Sequence, residues 1–553
     1  MIPPALAVVL LCASSAENAL VAVRVQQLYA GAQWAAAVEV WRSLAEPPPP
    51  VDYYAGMALA RLGRFDEART AFESGRRKDP ADKRFPIELA GLAYKRQDFP
   101  AAILYLKRAL RLDPDDRYAN DFLGTLYFLR HNLEAALQYW NRIGKPRVDE
   151  VRVEPEPRIR PALLDRAFVF APASVLQLRE LWTTEASLDQ LRIFPLRQFD
   201  LTPRGGQEDS DLIVRLQERN GWGDTKWQGL MSILRGAPYA TLYPEWYNLR
   251  RSAANLTTQV RFDPNKLRLF AQFERPAGGN PNLRWRYFLD GRKETWNLIR
   301  TFHGPGQAPS GLGVQKAEAG AEIGGIIGEN WSWSGAASIA DRKFFGAPAG
   351  EYFINGVSLK YRSQVSRTLL RLPDKRITLK SAAFGEFGKL FVAGLDPYSR
   401  IGAVVSARWF PQQQGNRYEL SSSLRTGGAF GSVPFDELFM LGLERDNDLP
   451  ARAHIGTTAG RKGSAPLGRT YLLWNTDFDR VIYDAGVFKI KLGPFLDSGK
   501  ITDPSGIFGT RRWLWDTGLQ VKLSLLSTVT VSVSYGKDLR TGRNAFYATT
   551  VRP

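Results

Sequence analysis

Cysteine, histidine and long apolar runs are scarce or missing in this sequence, and each shortage removes a class of protein. A single cysteine, Cys12, lies in the extreme N-terminal segment of 553 residues, which excludes a disulfide framework, a zinc knuckle and a CxxC redox centre. The three histidines, His131, His303 and His454, are far apart, which argues against a histidine-based metal site. The roughly 18 consecutive apolar residues of a membrane-spanning helix occur nowhere. HExxH, a GxSxG elbow and a GxGxxG followed by a paired acid are also missing. Gly493 to Ile501 mimics a P-loop, but Ile501 stands where a hydroxyl would hold magnesium. Neither an enzyme nor a cofactor is expected, although a glycosidase-like acid pair could hide among the carboxylates.

With 44% hydrophobic and 24% charged residues the composition is globular, and the length suggests two to four domains. The net charge of +18 is spread over Lys and Arg scattered singly or in pairs. No basic block or finger gathers it, so no nucleic acid is expected as a partner, and a basic surface near anionic lipid is the better account.

Ala5 to Ala13 is a short apolar core followed by Ser14, Ser15 and Ala16. Small residues at Ser14 and Ala16 suit a signal-peptidase cut before Glu17, making 1–16 a signal peptide. Met1-Ile-Pro-Pro carries no basic residue, and the start of the first helix is the lesser alternative; export is the favoured reading.

From 17 to 146 the chain repeats. Ala68, Ala102 and Ala136 are spaced by 34, as are Phe72, Leu106 and Trp140, and Gly56, Ala90 and Gly124. Asp79-Pro80 and Asp113-Pro114 punctuate the units at the same interval. Small residues where two helices cross, with a proline after each unit, form the tetratricopeptide signature. Three to four repeats suffice for a continuous α-helical solenoid, acting as a binding surface or as a spacer.

Residues 147–219 read as an α+β module: a strand from Val148, a helix from Pro161 to Phe168, and a second helix opened by a Ser174–Gln177 capping box. Leu178, Leu181, Leu188 and Leu191 share one face of that helix, and a hairpin follows around Gly205-Gly206. Residues 220–553 alternate. Leu283, Trp285, Tyr287 and Leu289 step against polar neighbours, as do Leu519, Val521, Leu523 and Leu525, and Val529, Val531, Val533 and Tyr535. Soluble sandwiches alternate too, but eleven of fifteen Trp lie beyond residue 220, as the aromatic girdles of a transmembrane antiparallel β-barrel require. About 16 strands fit the length.

The module order and this barrel pattern resemble the BamA, TamA and two-partner-secretion transporter superfamily, in which a POTRA domain precedes an outer-membrane barrel. Phe495-Leu-Asp497-Ser-Gly499 matches the family's strand motif, and Leu441 to His454 resembles its inward-folding loop. The resemblance implies that Arg452 pairs with Asp497. Ala453 stands where the family has Gly, His454 where it has an aromatic, and the chain ends Thr550-Val-Arg-Pro without the usual terminal aromatic. The resemblance further implies a factor in the bacterial outer membrane with its N-terminal domains in the periplasm. It would insert or translocate client outer-membrane or secreted proteins, in contact with membrane lipid and with periplasmic chaperones or lipoproteins. Alternatives are a secretion pore for one dedicated partner, or a soluble periplasmic scaffold with a β-sandwich.

Overall fold

The computed structural model describes residues 4–204, 209–223, 226–348, 350–412, 414–486, 488–510, 512–525 and 529–551. Two compact units divide the chain, Met1–Arg147 and Val148–Pro553.

The first unit is helical. Pro4–Ala30 with Trp34–Ser43, Pro49–Arg61 with Phe65–Lys78, Arg84–Lys95 with Phe99–Leu112, and Arg117–Leu129 with Leu133–Trp140 pack as successive hairpins. Pro4–Ala30 runs unbroken through the position before Glu17. The 34-residue step is a packing rule: Ala68, Ala102 and Ala136 are all fully buried. Gly56 is there because a Cβ would lie 2.5 Å from the Phe72 ring, and Gly124 meets the Trp140 indole in the same way. Helices end at Lys78 and Leu112, just before the Asp-Pro steps. Asp98, Asp116 and Asn132 cap the helices that follow them by accepting from the N–H groups of Ala101, Ala119 and Ala135. Asp52 is wholly buried and accepts from Trp41 Nε1 at 2.8 Å and Lys78 Nζ at 2.6 Å, joining three helices.

The second unit opens with a small α/β module of strand Arg147–Glu154, helix Pro161–Asp165, strand Ser174–Val175, helix Leu178–Leu191 and strands Leu196–Pro203 and Asp209–Gln217. Its sheet has the spatial order Ser174–Val175, Arg147–Glu154, Asp209–Gln217, Leu196–Pro203. Two expectations are corrected. The first helix stops at Asp165, and the second is opened not by Ser174 but by a capping box of Gln177 with Glu180. Ala173 takes a positive φ of 57°, which turns the chain so that Ser174 continues extended and joins the sheet. Leu181, Leu188 and Leu191 are buried together. The Gly205-Gly206 turn lies outside the described residues.

A large antiparallel sheet forms the rest. Counting Thr241–Leu242 and Glu245–Leu249 as one interrupted strand, fifteen strands pair in chain order up to Asn544–Val551. The sheet curls until Asn544–Val551 comes round beside Thr241–Leu242, yet among the described residues no ladder register joins these two strands. A closed barrel of about 16 strands was expected. The correction has a topological reason: the first and last of an odd number of alternating strands run in the same direction, so an all-antiparallel ladder cannot close through them.

The sheet is apolar outside and charged inside. Leu269, Trp285, Tyr287, Leu289, Leu359 and Leu519 are exposed, whereas Arg261, Glu274, Asp290, Lys316, Arg342 and Glu386 are buried. Exposed Trp285, Trp331, Trp333 and Trp409 gather near one rim, and Trp513 and Trp515 near the other. The α/β module sits at the first rim. Arg160 N donates to Arg251 O, Arg166 Nη1 donates to Gly279 O, and Arg371 pairs with Glu185 at 2.9 Å. Turns on that side are mostly short, and the long loops 297–311 and 432–469 leave from the opposite side.

Candidate functional site

Strand Phe488–Thr502 pairs with Leu514–Leu525 without a bulge past Pro494. Period-two geometry therefore keeps Phe495, Asp497 and Gly499 on the inner face, and Asp497 is buried. Loop 432–469 folds back to meet that face. Arg452 Nε donates to Asp497 Oδ2 at 2.8 Å and Nη2 to Oδ1 at 2.5 Å, a bidentate pair. The Arg452 backbone N–H adds a third bond to the same carboxylate at 2.9 Å. Asn475 donates to Asp497 from the neighbouring strand, and Asp477 also bonds Arg452.

Each residue of the strand motif touches the loop in its own way. The Arg452 guanidinium lies over the Phe495 ring, 3.9 Å from its centroid, a cation–π contact in a desolvated setting. A Cβ on Gly499 would come 3.3 Å from Leu441 of the loop and 3.0 Å from Leu473. Ala453 is not in the left-handed region, so glycine is not required there. The close approach is provided instead by Gly536 on the facing strand, where a Cβ would run into the Arg452 carbonyl. His454, in place of an aromatic, has its Nδ1 3.0 Å from Asp516 Oδ2, which also accepts from Ala453 N at 2.8 Å. Burial opposes protonation of His454, but the Asp516 hydrogen bond and charge prevail and raise its pKa.

Two further anchors of the loop were not found from the sequence. Glu437 is met by Lys316 Nζ at 2.8 Å, Arg400 Nη1 at 2.8 Å and Lys360 Nζ at 3.2 Å, with Arg342 at 3.4 Å. These four cations come from four strands. Burial would push the Glu437 carboxyl up, but the cations hold it well below the usual range, and neighbouring Asp436 is lowered too. Asp446 is held at 2.8 Å by both Arg261 and Arg268. Around these pairs Phe435, Phe439, Leu441, Leu449 and Leu467 of the loop pack with Tyr398, Tyr471 and Ile501 in one apolar cluster. A run of acids inside a loop rich in apolar residues was the available signal, but it names no partners.

The loop therefore plugs much of the interior. A polar cavity of about 800 Å³ remains beside it, lined among others by Arg284, Arg286, Lys316, Glu322, Glu386 and Asp446. At its module end, Arg284 Nη1 donates to the carbonyls of Gln190 at 2.7 Å and Leu191 at 3.2 Å. These are among the last carbonyls of helix Leu178–Leu191, where a cation is favoured. Among the described residues no cluster of His, Cys, Asp and Glu could hold a metal ion. Gly56, Ala68, Ala102, Gly124 and Ala136 lie in the other unit, in its helix packing.

Residues 53–117 and 87–145 match the tetratricopeptide repeat family. No curated protein matches the sequence. Solved structures similar to this chain include BamA from Haemophilus ducreyi lacking POTRA domains 1–3, at 12% identity and TM-score 0.44 over 73% of this chain and 84% of that one. CdiB from Escherichia coli is similar at 12% identity and TM-score 0.48, over 74% of this chain and 75% of that one. CdiB from Acinetobacter baumannii gives 12% and 0.45, with 73% of each chain covered.

Proposed function

We propose that this chain is an outer-membrane factor that inserts or translocates other proteins, with its helical repeats and α/β module on the periplasmic side. The observation that carries the reading is the inverted wall around a charged inward loop. A sheet that exposes Leu, Trp and Tyr while burying Arg, Lys, Asp and Glu is matched to hydrocarbon outside and water inside. Short turns on the module side and long loops on the other support a periplasmic placement of the module and an extracellular one of the loops. No enzymatic step or cofactor enters this reading.

The α/β module, which we assign as a POTRA domain, leaves strand Leu196–Pro203 at the edge of its sheet. An extended client could add there, or at the seam of the large sheet where no ladder register joins the described residues of the first and last strands, and satisfy its backbone before it meets lipid. The repeats would bind a client, a chaperone or a lipoprotein. Deleting residues 17–146 should impair client delivery; unchanged delivery would remove the docking role.

Heat-modifiable migration tests the reading itself. Protein extracted from envelopes should run faster unboiled than boiled, and recovery in the soluble fraction without a shift would overturn it. A secretion pore for one dedicated partner is the second reading, favoured by the polar cavity beside the loop. Steady ion conductance in planar bilayers, rising on loss of the Arg452 anchor, would select it.

A further inference from the structure

The chain between the α/β module and the first full strand is not extended. After an isolated bridge between Gly221 and Tyr247 it forms helix Lys226–Leu234, and Ile233 O then accepts from Tyr243 N on the strand side. The helix thus lies along strand Thr241–Leu249, at the edge where a further strand would bring the number to sixteen.

Its burial is inverted. Trp227 is 74% exposed, and Leu230, Met231 and Leu234 are exposed beside it. Their spacing of three, four and seven residues places them on one face. The opposite face carries Gly229 and Ser232, both buried. Gly229 sits against Trp222, whose ring meets Trp246 edge-on with centroids 5.2 Å apart. Ser232 Oγ donates to Glu245, and Arg235 pairs with Glu245 at 2.7 Å. Small and polar side chains therefore face the protein, and large apolar ones face away from it. In water that arrangement would leave a costly apolar patch.

We propose that helix Lys226–Leu234 is a lipid-facing cover for the seam of the sheet, its Trp227, Leu230, Met231 and Leu234 face seated among acyl chains. This rests on the membrane reading of the wall. The face continues the outward apolar surface of the neighbouring strand, where Val260 and Phe262 are exposed and Phe262 N donates to Ala240 O. None of its four apolar residues lines the interior cavity. The physical reason is backbone accounting. An open sheet edge in hydrocarbon leaves unpaired N–H and C=O groups, whereas a helix satisfies its own and can shield that edge.

Single cysteines placed in a Cys12→Ser background of the full chain test it, in vesicles of phosphatidylethanolamine and phosphatidylglycerol. An environment-sensitive fluorophore at Leu230→Cys or Trp227→Cys should be quenched by nitroxide-bearing lipid and show loss of quenching by iodide. Leu289→Cys marks the wall and Tyr118→Cys marks water. Iodide quenching at both helix positions, with Leu289→Cys still quenched by lipid, would overturn the seam helix and leave the membrane reading intact. If Leu289→Cys were also unreachable from lipid, both would fall.

Discussion

Ala68 in the helical unit and Asp497 in the sheet are equally hidden from water, but opposite rules put them there. In the repeats burial selects small and apolar side chains, and Asp52 and Asn120 are the buried polar ones among the described residues. Asp52 is tolerated because Trp41, Ser74 and Lys78 all donate to it. In the sheet the interior holds a lattice of Arg, Lys, Asp and Glu beside the apolar cluster that seats the loop, and many Leu, Trp and Tyr side chains face out. The same residue types sort in opposite directions because the solvents differ. On the membrane reading proposed above, the solenoid has water around it, whereas the sheet has hydrocarbon around it and water within.

The contrast is sharpest where a charge has no alternative partner. Asp497→Ala would strand Arg452 in the interior with Asp477 as its remaining carboxylate, at a cost of about 3–5 kcal/mol. Loss of the fast-running unboiled band, or protease cleavage within 432–469, would register it. Replacing both Arg452 and Asp497 by Ala should cost less than the sum of the single changes. Strict additivity would show that the pair does not act as a unit.

On the outer face the sign of the rule can be tested directly. Leu289→Arg, at a position 61% exposed, should cost about 2–4 kcal/mol near the bilayer midplane. On a water-facing sheet the same change would usually stay within about 0.5 kcal/mol, so an undisturbed fold would break the comparison. In the helical unit Gly56→Val forces methyl groups into the Phe72 ring and should cost about 1–3 kcal/mol. It should be read as an earlier loss of helical circular dichroism with the barrel band shift intact.

The smallest effect is pH-dependent. Because the folded-state pKa of His454 lies above the ordinary value of 6.5, its pairing with Asp516 stabilises the folded loop fully below that value. The contribution fades as pH rises through the folded pKa. The denaturant midpoint should therefore fall modestly as pH rises above about 6.5, and His454→Gln should flatten that slope.

Local spacing carried the repeats: a step of 34 names Gly56, Ala102 and Ala136, because each helix pair meets only its neighbours. Outward alternation was legible for the same reason, since period two is a property of a single strand. The second helix cap was misplaced by three residues because the positive φ of Ala173 leaves no trace in composition. Glu437 and Asp446 were invisible as anchors, since their partners come from strands up to 185 residues away.

By itself the sequence determined the helical repeats and the outward alternation of the strands, through periods of about 3.6 and of two residues that short-range sterics impose. Only the tertiary structure decided how the sheet ends: with its last strand brought round beside the first, no ladder register between them among the described residues, and a helix alongside the first strand. It alone also decided that Gly536 rather than residue 453 makes room for the loop, and that four cations converge on one glutamate. These are long-range coincidences of closure and charge. A one-dimensional pattern cannot encode them, because the strands must first curl before their inner faces can meet.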